Sequence, residues 1–268
     1  MLRAANIAFA YNPRRPVLRD VSMEVPAAGF VGILGPNGSG KTTLLRALAG
    51  AVRPASGRVT LDDVELGEIP RQAIARRMAF VPQETHLAFD YSVIEVVLMG
   101  RYPHLSTFEI EGPEDLGIAR EALAATDTSE LAHRGFDTLS GGEKHRVIIA
   151  SALAQISGSA NAILVLDEPT AALDLAYQLD LAALLRSLQE RLQIAIAIST
   201  HDLNFAAGLC RTLVLLKDGE VLASGGTDDV LTADRIRALY GVEADVTRHP
   251  ATGRLTIVAL RRAVGTHA

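Results

Sequence analysis

Eight consecutive residues, Gly35-Pro36-Asn37-Gly38-Ser39-Gly40-Lys41-Thr42, carry the strongest chemical signal in the chain. Two glycines five apart followed by lysine and a hydroxyl residue make a phosphate loop, in which N–H groups free of Cβ crowding can surround a phosphate. Lys41 can reach the β and γ phosphates of a nucleotide, and the Thr42 hydroxyl can ligate Mg²⁺. The helix expected from about Lys41 points its positive N-terminal end at the same anion. Thr43 completes the candidate nucleotide-binding stretch.

A second signal is the apolar run Ile163-Leu164-Val165-Leu166 delivering two adjacent carboxylates, Asp167 and Glu168. Ligands of open α/β sheets bind at such strand ends. Asp167 would hold Mg²⁺, and Glu168 would polarise the water that attacks a γ-phosphate. Alone, an Asp-Glu pair after a strand reads as a solvated turn or a helix cap; its pairing with the phosphate loop reverses that reading. The third signal is Leu139-Ser140-Gly141-Gly142-Glu143. Ser140 and Glu143 fit a capping box that opens a helix. Two successive glycines cost helix stability, so they imply that backbone approaches another object closely, and the helix start offers a second phosphate site.

The elements that must position these residues are legible from hydrophobic period. Asn6–Ala10 and Val17–Val25 read as an antiparallel β start around the turn at Pro13 and Pro16. Phe30–Leu34 reads as a strand entering the glycine loop, followed by a helix bearing Leu44, Leu45 and Leu48. Gly57–Leu61 and Ala79–Val81 read as strands and Arg71–Arg77 as a helix. Beyond Pro82-Gln83 the pattern is helical as far as Leu139, with Ser92 and Glu95 opening one helix and Pro113 another. Ala162–Leu166 and Ile194–Ser199 are continuous apolar runs of the kind buried parallel strands show, joined by a helix with Leu181, Leu184, Leu185, Leu188 and Leu192 on one stripe. Two hairpins close the chain, around Lys217-Asp218-Gly219 and around Pro250 and Gly253. The fold class is therefore α/β, with a mostly parallel sheet, an antiparallel β part and a helical part.

Composition sets the outer bounds. With 268 residues and 49% apolar content the chain can bury a large core. Its 26 basic against 31 acidic residues leave a net charge of −5, which gives no field for phosphate backbones and excludes nucleic acid as the expected partner. No apolar stretch reaches the roughly 18 residues of a membrane span, and no secretory leader is expected at the N-terminus. The single cysteine, Cys210, is expected to fill core space.

Taken in order, Gly35–Thr42, Leu139–Glu143 and Ile163–Glu168 resemble the nucleotide-binding subunit of an ATP-binding cassette (ABC) transporter, over nearly the whole chain. The resemblance implies an ATP-hydrolysing P-loop NTPase fold over 1–241, a helical subdomain at approximately 84–138 and a C-terminal hairpin extension over 242–268. It further implies that Tyr11 stacks on adenine, that Gln83 contacts Mg²⁺ or water and links to a membrane partner, and that His201 contacts the γ-phosphate. On residues alone Tyr11 reads as a core aromatic and His201 as a helix-start residue. The catalytic set is then Glu168, His201 and Lys41. The nucleotide set is Tyr11, Gly35, Pro36, Asn37, Gly38, Ser39, Gly40, Lys41, Thr42, Thr43, Gln83, Ser140, Gly141, Gly142, Glu143 and Asp174, and the Mg²⁺ set is Thr42, Gln83 and Asp167.

Two departures from the family pattern stand out. Pro169-Thr170-Ala171-Ala172-Leu173-Asp174 lacks a serine common in relatives while keeping Asp174, and Lys144-His145-Arg146 replaces a pair of glutamines before arginine. The family resemblance implies a head-to-tail dimer with a second copy, each ATP lying between one chain's phosphate loop and the other's Ser140–Glu143. It also implies transmembrane permease subunits, indirectly a substrate-binding protein, and a peripheral place on the cytoplasmic face of the bacterial inner membrane. Val96–Leu105 looks like the subgroup that imports iron-siderophore complexes, haem and cobalamin, with Arg101, Tyr102 and His104 suited to gripping a membrane subunit. Two rivals remain, a soluble ABC-type ATPase of DNA repair or translation and a small-molecule P-loop kinase.

Overall fold

The computed structural model of the chain describes residues 1–85, 87–171 and 174–263. In chain order the elements are β1 (Leu2–Phe9), β2 (Leu18–Val25), β3 (Phe30–Leu34), α1 (Lys41–Leu48), β4 (Ser56–Leu61), β5 (Val64–Glu65), α2 (Arg71–Arg77), β6 (Met78–Val81), α3 (Val93–Leu98) and α4 (Pro113–Ala125). Next come α5 (Gly141–Ile156), β7 (Ile163–Asp167), α6 (Leu175–Leu192), β8 (Ala195–Thr200), α7 (Leu203–Leu209), β9 (Thr212–Lys217) and β10 (Glu220–Gly226). The chain closes with α8 (Thr227–Val230), α9 (Ala233–Tyr240), β11 (Val242–Arg248) and β12 (Leu255–Arg262). They form two compact units: Met1–Glu65 with the chain from Ala197 onward, and Leu66–Ile196.

In the first unit an antiparallel sheet runs in the order β2-β1-β4-β5, with Leu2 opposite both Val25 and Leu61. Alternation puts Leu2, Ala4 and Ile7 of β1 inside, and a register shift between Ala4 and Ile7 falls where Asn6 adopts a positive φ of 51°. Strands β3 and β9 pair in parallel from Val31–Thr212 to Leu34–Leu215. Every residue of β3 is buried, as a strand covered on both faces requires. The turn from β9 to β10 uses Asp218 (φ 49°) and Gly219 (φ 82°), the paired positive angles of a type I′ hairpin. That turn also braces the glycine loop: Gly219 N–H donates to the Ser39 carbonyl at 3.1 Å and the Gly219 carbonyl accepts from Arg19 N–H at 2.8 Å.

In the second unit β6 and β7 pair in parallel from Met78–Ile163 to Val81–Leu166. Helix α5 buries Val147, Ile149, Ala150 and Leu153, and α6 turns Leu181, Leu185 and Leu188 inward. Leu192, placed on the same stripe from sequence, is 50% exposed, because the helix stops at Gln193 in the left-handed region (φ 52°). The expected capping box at Ser92 is present, its N–H donating to Glu95 Oε2 at 2.7 Å. The helix it opens becomes a 3₁₀ stretch over Met99–His104, where a Cβ on Gly100 would lie 2.2 Å from the Ser151 carbonyl. Only glycine allows α5 to pass that close. Among the described residues no helix is long and apolar enough to cross a membrane.

Candidate functional site

The first unit carries the phosphate loop, Tyr11 and His201. Glycine is obligatory where the loop folds on itself: a Cβ on Gly35 would stand 2.2 Å from the Leu216 carbonyl. Gly38 and Gly40 take positive φ angles of 80° and 104°, and Gly40 forms the N-cap of α1. Nothing lies within 4 Å of a Cβ built on Gly38, so that turn of backbone faces open space. Lys41, 4% exposed, donates from Nζ to the carbonyls of Gly35 at 2.9 Å and Pro36 at 3.2 Å, holding a cation over the loop. The Ser39 hydroxyl is buried with no hydrogen-bond partner among the described residues, and Thr43 is buried beneath the loop. An orphaned hydroxyl, open glycine backbone and a buried lysine are what a bound phosphate would satisfy.

His201 follows β8 directly and is exposed, its helix α7 capped by Asp202, which accepts from Phe205 N–H at 2.9 Å. Tyr11 is 60% exposed, with its ring edge-on to Phe9 at 4.8 Å between centroids. The residue-level expectation of a core aromatic is thereby corrected. The sequence Tyr11-Asn12-Pro13 turns the chain out of β1, and the ring keeps a free face.

The second unit carries Gln83, Ser140–Glu143, Asp167, Glu168 and Asp174. Asp167 ends β7 and is 3% exposed, while half-buried Glu168 adopts φ 44°. A left-handed glutamate costs on the order of 1 kcal/mol and turns the chain sharply off the strand. At α5, Ser140 N–H donates to Glu143 Oε2 at 2.8 Å and Glu143 N–H to Ser140 Oγ at 3.3 Å, completing the expected capping box. The hydrogen bonds from Ser140, then the nearby Arg134 guanidinium, hold the Glu143 carboxyl below the usual range.

The two glycines of this segment separate in role. A Cβ on Gly142 would sit 2.4 Å from the Tyr177 ring, so this glycine is explained inside the unit. Nothing lies within 4 Å of a Cβ on Gly141, and that position alone keeps the open face that the sequence implied for both. Asp174 caps α6 by accepting from Tyr177 N–H at 3.0 Å, so Asp174 and Gly142 meet through Tyr177. Tyr177 escaped the sequence reading; its only signal is its place three residues after a capping aspartate. Gln83 is exposed and shares a cleft of ≈ 310 Å³ with Gly141, Lys144 and His145. Burial pushes the His145 imidazole down to about 4, which makes it neutral near pH 7.

Other expectations need correction or fall elsewhere. Arg101 is 6% exposed, donating to Asp115 Oδ1 at 2.9 Å and to the Ala154 carbonyl at 2.7 Å. His104 Nε2 lies 2.7 Å from the Gln155 carbonyl. Both are internal anchors, and of that trio only Tyr102, 57% exposed, is free to grip anything. The mismatch is physical: a long arginine stem packs well along a helix, so its charge marks no surface by itself. Ala172 and Leu173 lie outside the described residues.

The family described as ABC transporter matches residues 18–171. The chain is similar to the hemin import ATP-binding protein HmuV of Bordetella pertussis, 41% identical over 96% of this chain and 99% of that protein. It is similar also to the cobalamin import ATP-binding protein BtuD of Halobacterium salinarum, 39% identical over 91% of this chain and 60% of that one. A solved inward-facing ABC transporter assigned to the metal-chelate type superposes with a TM-score of 0.84 at 30% identity, covering 97% of this chain and 96% of that one.

Proposed function

Because the chain belongs to the ABC transporter family, we propose that it is the ATP-hydrolysing subunit that powers import of haem, a ferric siderophore or cobalamin through a separate transmembrane permease dimer. The full-length likeness to a hemin import protein carries the cargo class. ATP is the substrate, bound by the phosphate loop Gly35–Thr43 with Tyr11 against the base. Lys41 balances phosphate charge, and Glu168 orients and deprotonates the attacking water while His201 contacts the γ-phosphate.

Thr42, Gln83 and Asp167 are the residues that would hold Mg²⁺, which when bound neutralises charge on the β and γ phosphates. No cluster of three or more His, Cys, Asp or Glu among the described residues could hold a metal by itself. In this reading one hydroxyl, one amide and one carboxylate would hold the ion together with the substrate's own phosphates.

Two copies pair head to tail in this reading, so that Ser140–Glu143 of each completes the other's ATP site. The open face at Gly141 supports it, as does the capping aspartate Asp174 joined to the same helix start through Tyr177. The subunit then sits peripherally on the cytoplasmic face of the cell membrane, with a substrate-binding protein acting across it. Residues 1–241 form the ATPase domain, and 242–268 an extension.

The test is ATPase activity of the chain assembled with its permease subunits in lipid, with binding proteins loaded with haem, ferric siderophore or cobalamin. Stimulation by one loaded protein, with matching uptake into vesicles, supports the reading and identifies the cargo. Hydrolysis indifferent to every one of them, with no permease bound, moves the chain to the soluble ABC-type ATPases. Glu168→Gln is expected to bind ATP, lose turnover and accumulate a dimer on gel filtration; turnover at the normal rate would remove Glu168 as the base.

A further inference from the structure

The C-terminal hairpin has no part in the reading above, yet the structure joins it to the segment bearing His201. Strands β11 and β12 form a two-stranded sheet, so one edge of β12 has no neighbouring strand among the described residues. In an antiparallel strand the N–H and C=O of one residue point to the same side. Those of Ile257 meet one side chain of α7: Asn204 Oδ1 accepts from Ile257 N–H at 2.8 Å, and Asn204 Nδ2 donates to the Ile257 carbonyl at 3.1 Å. The amide pairs with β12 as a third strand would. Ile257 is also, with Ala244, a buried anchor of the hairpin, 6% and 8% exposed.

Asn204 lies three residues after His201, and the chain between them is held at Asp202. Asp202 N–H donates to Thr200 Oγ1 at 3.1 Å, and Asp202 Oδ1 accepts from Phe205 N–H at 2.9 Å. The backbone on both sides of His201 is thus fixed, to the end of β8 on one side and to the hairpin on the other. We propose that Asn204 is a positioning residue for ATP hydrolysis, through which the C-terminal hairpin sets the start of α7 and with it the aim of His201. This rests on the reading of His201 as the group that contacts the γ-phosphate. Asn204 is an exposed residue, but its two bonds to Ile257 are part-buried, so they also contribute modestly to folding. Its loss should register in geometry, where an error of about 1 Å is enough to slow a reaction severely.

The test is a double-mutant cycle on the full chain, following kcat and KM for ATP by single and multiple turnover, with melting temperature as the fold control. Asn204→Leu is expected to lower kcat about tenfold with KM unchanged and the melting temperature lowered only slightly, the protein remaining fully folded at the assay temperature. His201→Ala is expected to lower kcat further, and adding Asn204→Leu to it should cost nothing more. If Asn204→Leu turns over at the wild-type rate while His201→Ala is slow, the positioning role is wrong and the His201 reading stands. Equal fold-losses from Asn204→Leu in both backgrounds also overturn it, because Asn204 would then act without His201. A wild-type rate for His201→Ala removes the His201 reading itself and the proposal with it.

Discussion

Helices α1 and α5 both begin at glycine-rich turns, and by sequence both read as places where backbone N–H groups receive phosphate. The structure makes them opposites. Helix α1 starts at Gly40 with no side-chain cap and no acidic residue in its first turn among the described residues, and with Lys41 held over the loop. Helix α5 starts at Ser140, whose N–H and hydroxyl are engaged with Glu143, and it places a carboxylate in its own first turn. A helix start favours anions in proportion to the donors and positive charge it leaves uncommitted. The first, with no carboxylate in its first turn and a lysine beside it, is therefore the more favourable of the two for an anion. The second commits its cap groups to Glu143, places a carboxylate in its first turn and keeps only the backbone at Gly141 open, so by itself it offers an anion less.

The largest effect that would break this contrast is at Lys41. Lys41→Ala is expected to weaken ATP binding at least about 100-fold, roughly 2.7 kcal/mol, measured by equilibrium titration. Unchanged affinity would mean that the loop is not the phosphate site. Next come the paired glycines of α5. Gly142→Ala forces a methyl into the Tyr177 ring and is expected to cost about 1–3 kcal/mol of stability in denaturant unfolding, relieved when Tyr177 is also truncated. Gly141→Ala enters open space and should change stability by no more than about 0.5 kcal/mol. Its expected signature is a loss of ATPase that leaves ATP binding intact; equal stability losses at both glycines would erase the distinction.

Much of the fold was readable because its periods are clean. The buried run Phe30–Leu34, the helix Arg71–Arg77 and the hairpin turn at Asp218-Gly219 fall where pattern and turn chemistry put them. The stretch Gly35–Thr42 stood out for a different reason, since two glycines five apart followed by a lysine and a hydroxyl residue match the phosphate-loop pattern. What failed to show were contacts made by close approach between distant segments. Gly142 against Tyr177, Gly100 against the Ser151 carbonyl and Asn204 on Ile257 span 35 to 53 positions, with no local signal to mark them. Arg101 and His104 misled because charge type says nothing of burial until the packed helix, here α5, is in place.

The smallest effect sharpens the contrast through protons. At the helix starts after Ser92, Gly112 and Ser140 the cap N–H donates to a carboxylate three residues on, Glu95, Asp115 and Glu143, and all three carboxyls are held below their ordinary values. Hydrogen bonds from the capping residue lead for Glu95 and Glu143, and the Arg101 side chain leads for Asp115. A depressed carboxyl stabilises the fold above its unfolded value and loses that contribution as pH falls through the lower folded value. For Glu143 the contribution is complete above about pH 4.5 and fades below it. Amide exchange followed from pH 6 to pH 3 should therefore show the starts of α3, α4 and α5 loosening together while α1, with no carboxylate to protonate, keeps its protection. Glu143→Gln retains the geometry of the box without the charge. It is expected to cost about 0.5 kcal/mol at pH 6 and nothing near pH 3. A penalty that is the same at both pH values would show that the charge contributes nothing at α5, leaving shape alone to separate the two helix starts.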